Sequence, residues 1–101
     1  MNAPELLFYE AMHTFRQHAL AGRASATEIT LALETLARLP VTTVPFLHTY
    51  RRAWQLRPAV TMYDAAYIAA AELLDAPLLT LDARLTRAPG PRCRFLTYES
   101  A

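Results

Sequence analysis

Residues 61–85, which read TMYDAAYIAAAELLDAPLLTLDARL, decide the fold of this chain. The first half is rich in alanine and apolar nearly all round, which predicts a helix buried on most of its sides. A turn at residues 75–77 leads into Leu78-Leu79-Thr80-Leu81, a short apolar run without alternation. Such a run is typical of a strand covered on both faces in a parallel sheet. The stretch therefore predicts an α/β fold.

Polar residues follow the apolar run at the point where the predicted strand ends. In open parallel sheets, ligands bind beyond the carboxyl ends of the strands, and Thr80 and Asp82 fall there. Asp64 lies in the first turn of the preceding helix, so one fold can bring it to the same edge. Two acids beside a hydroxyl indicate a candidate site.

The remainder of the chain supplies further helices and short strands. Asn2 and Pro4 predict the start of a first helix that ends near Gly22, with an apolar face. Ser25 and Glu28 form a capping box for a second helix, which stops at Pro40. The apolar residues of the first helix face are Leu7, Phe8, Ala11, Met12 and Phe15.

Residues 41–44 predict a strand, and residues 47–57 a helix. We expect that helix to pack through Leu47, Tyr50 and Trp54. A short helix over 83–88 and a last strand over 93–98 complete the prediction, with the two late strands parallel. Inward packing is expected for Tyr63, Tyr67 and Leu74.

The length and composition of the chain exclude several classes of protein. The 101 residues suit at most one domain, spanning 1–101, and 19% charged residues with a net charge of +1 exclude an acidic tail and a strongly basic nucleic-acid binder. The single cysteine allows no internal disulfide, and no Cys/His zinc pattern is present. Without a signal peptide or an apolar run of spanning length, we expect a cytoplasmic protein with no membrane segment.

The motifs of residues 61–85 resemble a known family. Tyr-Asp-Ala-x-Tyr, an Ala-rich helix ending in Ala-Glu-x-Leu, and Pro-Leu-Leu-Thr-x-Asp-x-Arg-Leu closely resemble the second half of PIN-domain proteins, in particular the VapC type of toxin ribonuclease. The resemblance implies a three-layer fold with a short parallel sheet flanked by helices. It also implies an RNA substrate, a VapB-type antitoxin as partner, and a homodimer.

The same resemblance assigns roles to individual residues. Glu10, Asp64 and Asp82 match three of the family's acids, which are its metal ligands and catalytic residues. Thr80 matches the strand-end hydroxyl, while Arg16, Arg84 and His13 are supporting residues, His13 standing where the family has asparagine. Clustered carboxylates would repel one another unless a divalent cation such as Mg²⁺ or Mn²⁺ lay among them, with one of its waters attacking the phosphodiester.

Each acid also has a simpler interpretation. Asp64 could complete a capping box with Thr61, and Asp82 could cap the short helix that begins at Ala83. Glu10 could be an ordinary exposed helical glutamate, and His13 a packing or surface residue.

The family's first strand, its aspartate and the helices that follow have no counterpart ahead of the segment 1–6. A partial PIN-like domain with the first βα segment missing is therefore expected, with ribonuclease activity impaired or absent and exposed strand edges. Two hypotheses follow: a VapC-like metal-dependent endoribonuclease, or a non-catalytic PIN remnant that binds an antitoxin or a second copy of itself.

Overall fold

The computed structural model describes residues 2–80 and 82–97. In chain order the elements are β1 (Asn2–Pro4), α1 (Leu6–Leu20), α2 (Ala26–Arg38), β2 (Thr42–Val44), α3 (Phe46–Gln55), α4 (Met62–Leu73), β3 (Leu78–Leu79), a 3₁₀ turn (Leu85–Arg87) and β4 (Phe95–Leu96). The α/β class is confirmed. The chain divides into two compact units, residues 1–43 and 44–101, and each is described by itself. Among the described residues, no helix is both long enough and apolar enough to cross a membrane.

The first unit is built on α1 and α2. The predicted capping box is confirmed, because the Ser25 N–H donates to Glu28 Oε1 at 3.0 Å and the Glu28 N–H donates to Ser25 Oγ at 3.1 Å. Helix α1 ends as predicted, with Gly22 at a φ of +70° in the left-handed region that glycine adopts readily.

The predicted role of Asn2 is wrong. Residues 2–4 form β1, which pairs with β2, and the residue that precedes α1 is Glu5, whose side chain makes no capping bond. Strand pairing satisfies the backbone groups that the expected cap would have served.

The core of the second unit surrounds α4. Ala65 and Ile68 are fully buried, and Leu56 and Leu85 pack against them from neighbouring segments. The predicted burial of α4 on several sides is confirmed, since five of its twelve residues are buried: Ala65, Ile68, Ala69, Ala70 and Ala71. Alanine at these positions lets neighbouring backbones approach closely while keeping the highest helix propensity.

A tight turn joins α4 to β3. Asp75 has a φ of +50°, and the Ala76 N–H donates to the Ala71 carbonyl at 2.9 Å, so the helix ends in a left-handed cap. The sequence predicts a turn at this place, over residues 75–77. β3 then pairs with β4 in parallel, with Leu78 opposite Phe95 and Leu79 opposite Leu96. The predicted parallel arrangement is confirmed. Leu81 and Tyr98, included in the predicted strands, lie outside the described residues.

The ladder of β3 and β4 extends beyond the two paired positions. The Leu78 N–H donates to the Arg94 carbonyl at 2.8 Å, and the Thr80 N–H donates to the Leu96 carbonyl at 2.9 Å. Thr80 is therefore held by its backbone at the carboxyl end of β3. The short helix predicted over 83–88 is confined to the 3₁₀ turn at residues 85–87.

The predicted inward packing is wrong for residues of both α3 and α4. Tyr63 is 65% exposed and Leu74 is also exposed, while Tyr67 is half-buried. On α3, Leu47 is 77% and Trp54 59% exposed, and Tyr50 is exposed as well.

Helix α3 instead turns smaller residues towards the core, with Thr49 buried and Ala53 packed on the core cluster. Ala66 of α4 lies beside Thr49 and Ala53, and a close approach of two helices needs small side chains on both. The larger aromatic side chains are therefore left outside.

An ion pair joins α3, α4 and the loop before β4. Arg52 Nε donates to Glu72 Oε1 at 2.7 Å, and Arg52 Nη2 donates to Glu72 Oε2 at 3.1 Å. The same nitrogen donates to the Gly90 carbonyl at 2.8 Å, and the Arg92 N–H donates to Glu72 Oε2 at 2.8 Å. The side chains of Arg52 and Glu72 are only 22% and 14% exposed. Two charges thus connect three segments that are distant in sequence.

Gly90 fits this junction for two reasons. Its φ of +105° is rarely adopted by residues with a side chain, and a Cβ there would lie 3.3 Å from Leu56 Cδ2. The glycine lets the loop pass close to the core while its carbonyl faces Arg52.

Burial alone would raise the pKa of Glu72, but hydrogen bonds from Arg52 and the Arg92 N–H outweigh it, so the pKa lies below its ordinary value of 4.5. A carboxylate with a lowered pKa in the folded state stabilises the fold at pH values above the unfolded pKa, and this contribution is lost as the pH falls through the folded pKa.

We expect Glu72→Ala to lower the free energy of unfolding by about 2–3 kcal/mol at pH 7, because charged hydrogen bonds are lost and Arg52 remains without its carboxylate. Urea denaturation measures this effect, with Glu34→Ala on the exposed face of α2 as control. The difference between wild type and Glu72→Gln should shrink below about pH 4.5. A difference independent of pH would contradict an electrostatic role.

Candidate active site

Asp64 lies in the first turn of α4 and is half-buried. Its backbone N–H donates to Thr61 Oγ1 at 3.1 Å, which is the first of the two bonds of a capping box. Only that bond is found at this helix start, whereas α2 has both. The capping interpretation therefore accounts for the Thr61 hydroxyl and leaves the Asp64 carboxylate unexplained.

Asp82 lies just beyond β3, in a tight polar turn. Its N–H donates to Thr80 Oγ1 at 3.1 Å, and its own Oδ1 accepts from the Arg84 N–H at 2.9 Å. Arg84 Nε also donates to Oδ1, at 3.2 Å. Asp82 thus caps a turn centred on Ala83, a little before the 3₁₀ residues.

These bonds determine the electrostatics of Asp82. The side-chain and backbone hydrogen bonds from Arg84 hold the pKa of this carboxyl below its ordinary value, with a further contribution from the charge of Arg87. The lowered pKa favours the ionised carboxylate, which is the form that a metal ligand needs.

The hydroxyl of Thr80 orients the backbone at the end of β3. The residue is half-buried, its N–H belongs to the β3–β4 ladder, and its Oγ1 accepts from Asp82. Thr80 therefore links the β3–β4 pair to Asp82 through hydrogen bonds. The sequence prediction that Thr80 and Asp82 belong to the carboxyl end of β3 agrees with this geometry.

The third acid belongs to the other unit. Glu10 lies on an exposed part of α1, its carbonyl accepts from Thr14 Oγ1 at 3.3 Å, and the supporting residues His13 and Arg16 are exposed on the same helix. Glu10 and His13 are one turn apart, so they share a face. Because Glu10 lies in residues 1–43 and the aspartates in 44–101, convergence of the three carboxylates stays a prediction.

A metal centre would need several of these acids to lie close together. Within residues 2–80 and 82–97, no group of three or more His, Cys, Asp or Glu side chains is placed to hold a metal ion. The donor chemistry nevertheless suits a hard cation, because carboxylate oxygens are the ligands that Mg²⁺ and Mn²⁺ prefer.

Sequence reasoning missed the polar residues that support this part of the fold. Arg52 and Glu72 were not singled out, because a single Arg and a single Glu on separate helices give no pairing signal. The Ala-Glu-x-Leu wording at the end of α4 could have drawn attention to Glu72, since a charged residue on an otherwise buried helix needs a partner.

Comparisons with known proteins agree with the fold. The model of the PIN domain family matches residues 3–91. Ribonuclease VapC1 of Mycobacterium tuberculosis is 44% identical over 97 residues, which cover 93% of this chain and 71% of the relative. VapC ribonuclease Mb0985 of Mycobacterium bovis is 34% identical over 93 residues, with 92% and 73% covered. Ribonuclease VapC12 of M. tuberculosis is 34% identical over 90 residues, with 89% and 70% covered.

The PIN domain model matches most of the chain, so the protein is of the PIN-domain class. The chain belongs to the PIN-domain family and, within it, to the VapC type of ribonuclease.

We expect Arg84→Ala to raise the pKa of Asp82 towards the ordinary aspartate value, because the guanidinium that stabilises the carboxylate is removed. The Asp82 carboxyl carbon resonance, followed by NMR through a pH titration, measures the shift. Arg23→Ala in the loop after α1 is the control and should leave the titration unchanged. An unaltered Asp82 titration in Arg84→Ala would mean that the ion pair is not maintained in solution.

Proposed function

We propose that this protein is a metal-dependent endoribonuclease of the VapC toxin type. The observation that carries the proposal is the position of Asp64 and Asp82, one in the first turn of α4 and one just beyond β3, in a chain that belongs to the PIN family. A helix that packs on the strand following it runs antiparallel to that strand, so its first turn lies beside the strand's carboxyl end. Contact between α4 and β3 supports this arrangement.

Asp64, Asp82 and Glu10 would hold the ion through carboxylate oxygens. A bound Mg²⁺ or Mn²⁺ would supply an activated water and offset charge developing on the phosphodiester. Thr80 and the turn after it fix the backbone from which the Asp82 carboxylate projects.

Arg84 has a place in the same proposal. Its side chain is 86% exposed, and it contacts Asp82 at the mouth of the turn. With the carboxylate holding a cation, the guanidinium would be free to bind a backbone phosphate of RNA, for which its planar fork is suited. Asp82 and Arg84 would then exchange their mutual contact for contacts with cation and substrate.

The partners follow from the same proposal. RNA is the substrate, a VapB-type antitoxin restrains the activity, the active form is a homodimer, and the cytoplasm is where such an RNA substrate is found. The names of the relatives, all VapC ribonucleases, support the RNA substrate.

In any form of the protein that cleaves RNA, Asp64→Asn should abolish magnesium-dependent cleavage of single-stranded RNA, with Asp82→Asn and Glu10→Gln giving comparable losses. Loss of metal-assisted stabilisation worth several kcal/mol corresponds to roughly 1000-fold in rate. Cleavage of a fluorescently labelled RNA measures the loss. Asp75→Asn, in the turn after α4, is the matched control and should retain activity. Full activity in Asp64→Asn would exclude the proposed role.

Metal removal gives a test independent of the substitutions. EDTA should stop cleavage, and added Mg²⁺ or Mn²⁺ should restore it. Since Mn²⁺ is paramagnetic, it should broaden the NMR signals of residues near Asp64 and Asp82 before those of α2. Broadening that survives in Asp64→Asn and Asp82→Asn alike would place the ion elsewhere.

A further inference from the structure

A polar pocket lies at the carboxyl end of α4, away from the first turn that carries Asp64. It has a volume of about 470 Å³, which is in the range of sites that bind small molecules. Residues of α4 and its following turn line it on one side, and the segment that leads into β4 lines it on the other. The lining residues are Ala71, Glu72, Asp75, Ala76, Arg92, Cys93 and Arg94.

The segment before β4 gives the pocket two positive charges. Exposed and half-buried residues alternate from 91 to 96, so Arg92 and Arg94 lie on the same side of the segment. Within residues 2–80 and 82–97, neither guanidinium makes a hydrogen bond or an ion pair. The bond from Arg92 to Glu72 uses the backbone N–H. Both guanidinium groups are therefore available to bind carboxylate or phosphate oxygens through their planar forks.

The end of α4 gives the pocket one negative charge. The Asp75 carboxylate is exposed, and the last carbonyls of a helix carry the negative end of its dipole, which favours a cation. Glu72 adds little, because Arg52 and the Arg92 N–H already bind both of its oxygens. Burial raises the pKa of the Cys93 thiol, so the thiol is uncharged at neutral pH. The lining therefore offers two positive charges and one negative charge to a ligand.

We propose that this pocket binds a small molecule with two negative charges and one ammonium group, the class of acidic amino acids and amino phosphates. The anionic groups bind Arg92 and Arg94, and the ammonium group binds Asp75 at the end of α4. The charges of the ligand then balance those of the lining. A dianion without an ammonium group would leave Asp75 facing negative charge, and a simple amine would leave both arginines without an anion.

RNA fits the pocket less well. Its backbone phosphates carry negative charge without an ammonium group, so Asp75 would repel them. The pocket is also distant from the candidate active site, because Asp64 lies eight residues before Glu72, about 12 Å along the axis of α4. Asp82 follows the carboxyl end of β3, whereas the pocket lies before the start of that strand. The inference therefore does not depend on the proposed ribonuclease activity.

The test uses Cys93, the single cysteine of the chain, as a reporter in the pocket. Its labelling by iodoacetamide, a neutral reagent, is followed by mass spectrometry at constant ionic strength. The probes are L-glutamate and O-phosphoethanolamine, with glutarate, which lacks the ammonium group, and 4-aminobutyrate, which lacks one carboxylate, as controls. Both probes should slow the labelling in a saturable way, at concentrations at least about fivefold lower than either control needs. The tighter of the two probes shows whether the pocket prefers carboxylates or phosphate.

Variants assign the binding to the pocket. Arg92→Ala and Arg94→Ala should each weaken binding of the better probe about tenfold, and Asp75→Asn should remove the preference for glutamate over glutarate. Arg92→Ala keeps the backbone N–H that binds Glu72, so the junction at that residue is preserved. Arg51→Ala, which alters an exposed arginine of α3, is the matched control and should change nothing. Circular dichroism checks that each variant is folded.

Four results would overturn the proposal: no protection of Cys93 by millimolar glutamate or phosphoethanolamine, equal protection by glutarate, protection that survives unchanged in both Arg92→Ala and Arg94→Ala, or stronger protection by a short single-stranded RNA. The last would assign the pocket to nucleic acid. None of these measurements uses RNA cleavage, so a protein without ribonuclease activity could still give the expected protection.

Discussion

The ion pair between Arg52 and Glu72 is the interaction on which the second unit depends. Neither helix that carries these residues could bury an unpaired charge, and the loop at residues 89–92 has no regular structure to satisfy its own backbone. The pair solves both problems, because Arg52 also binds the Gly90 carbonyl and Glu72 also accepts from the Arg92 N–H. The position of β4 relative to α4 follows from this junction.

How much of the fold could be predicted varies from one segment to the next. α4 and β3 were predictable as elements because an alanine-rich helix and an apolar run after a turn allow few alternatives. The expected burial of both faces of β3 was wrong, since Leu79 is 63% exposed. The packing of α3 was not predictable, because its two apolar stripes compete. Hydrophobicity favours the aromatic stripe of Phe46, Tyr50 and Trp54, whereas close packing on the alanines of α4 selects Thr49 and Ala53. The outcome depends on the partner helix, and one helix alone does not contain that information.

The candidate site, too, could be predicted from the sequence only in part. The local sequence was enough to predict that Thr80 and Asp82 follow a parallel strand and that Asp64 begins a helix, because both depend on neighbours within a few residues. The hydrogen bond that turns Asp82 towards Arg84 follows from a side-chain choice at short range that spacing alone does not decide. Glu10 could be singled out only by resemblance to a family, since an exposed glutamate on an amphipathic helix has no physical feature to distinguish it.

The alanines of α4 have a consequence for how the exposed aromatic surface of α3, formed by Phe46, Tyr50 and Trp54, can change during evolution. Thr49 and Ala53 of α3 lie beside Ala66 of α4, so the spacing of the two helices depends on small side chains. Adding even one methylene group beneath α3 would cost roughly 1–3 kcal/mol or push the helix outward. An enlarged residue in the interior can therefore move the aromatic side chains outside, and related chains with identical aromatic stripes can still differ in the shape of this surface.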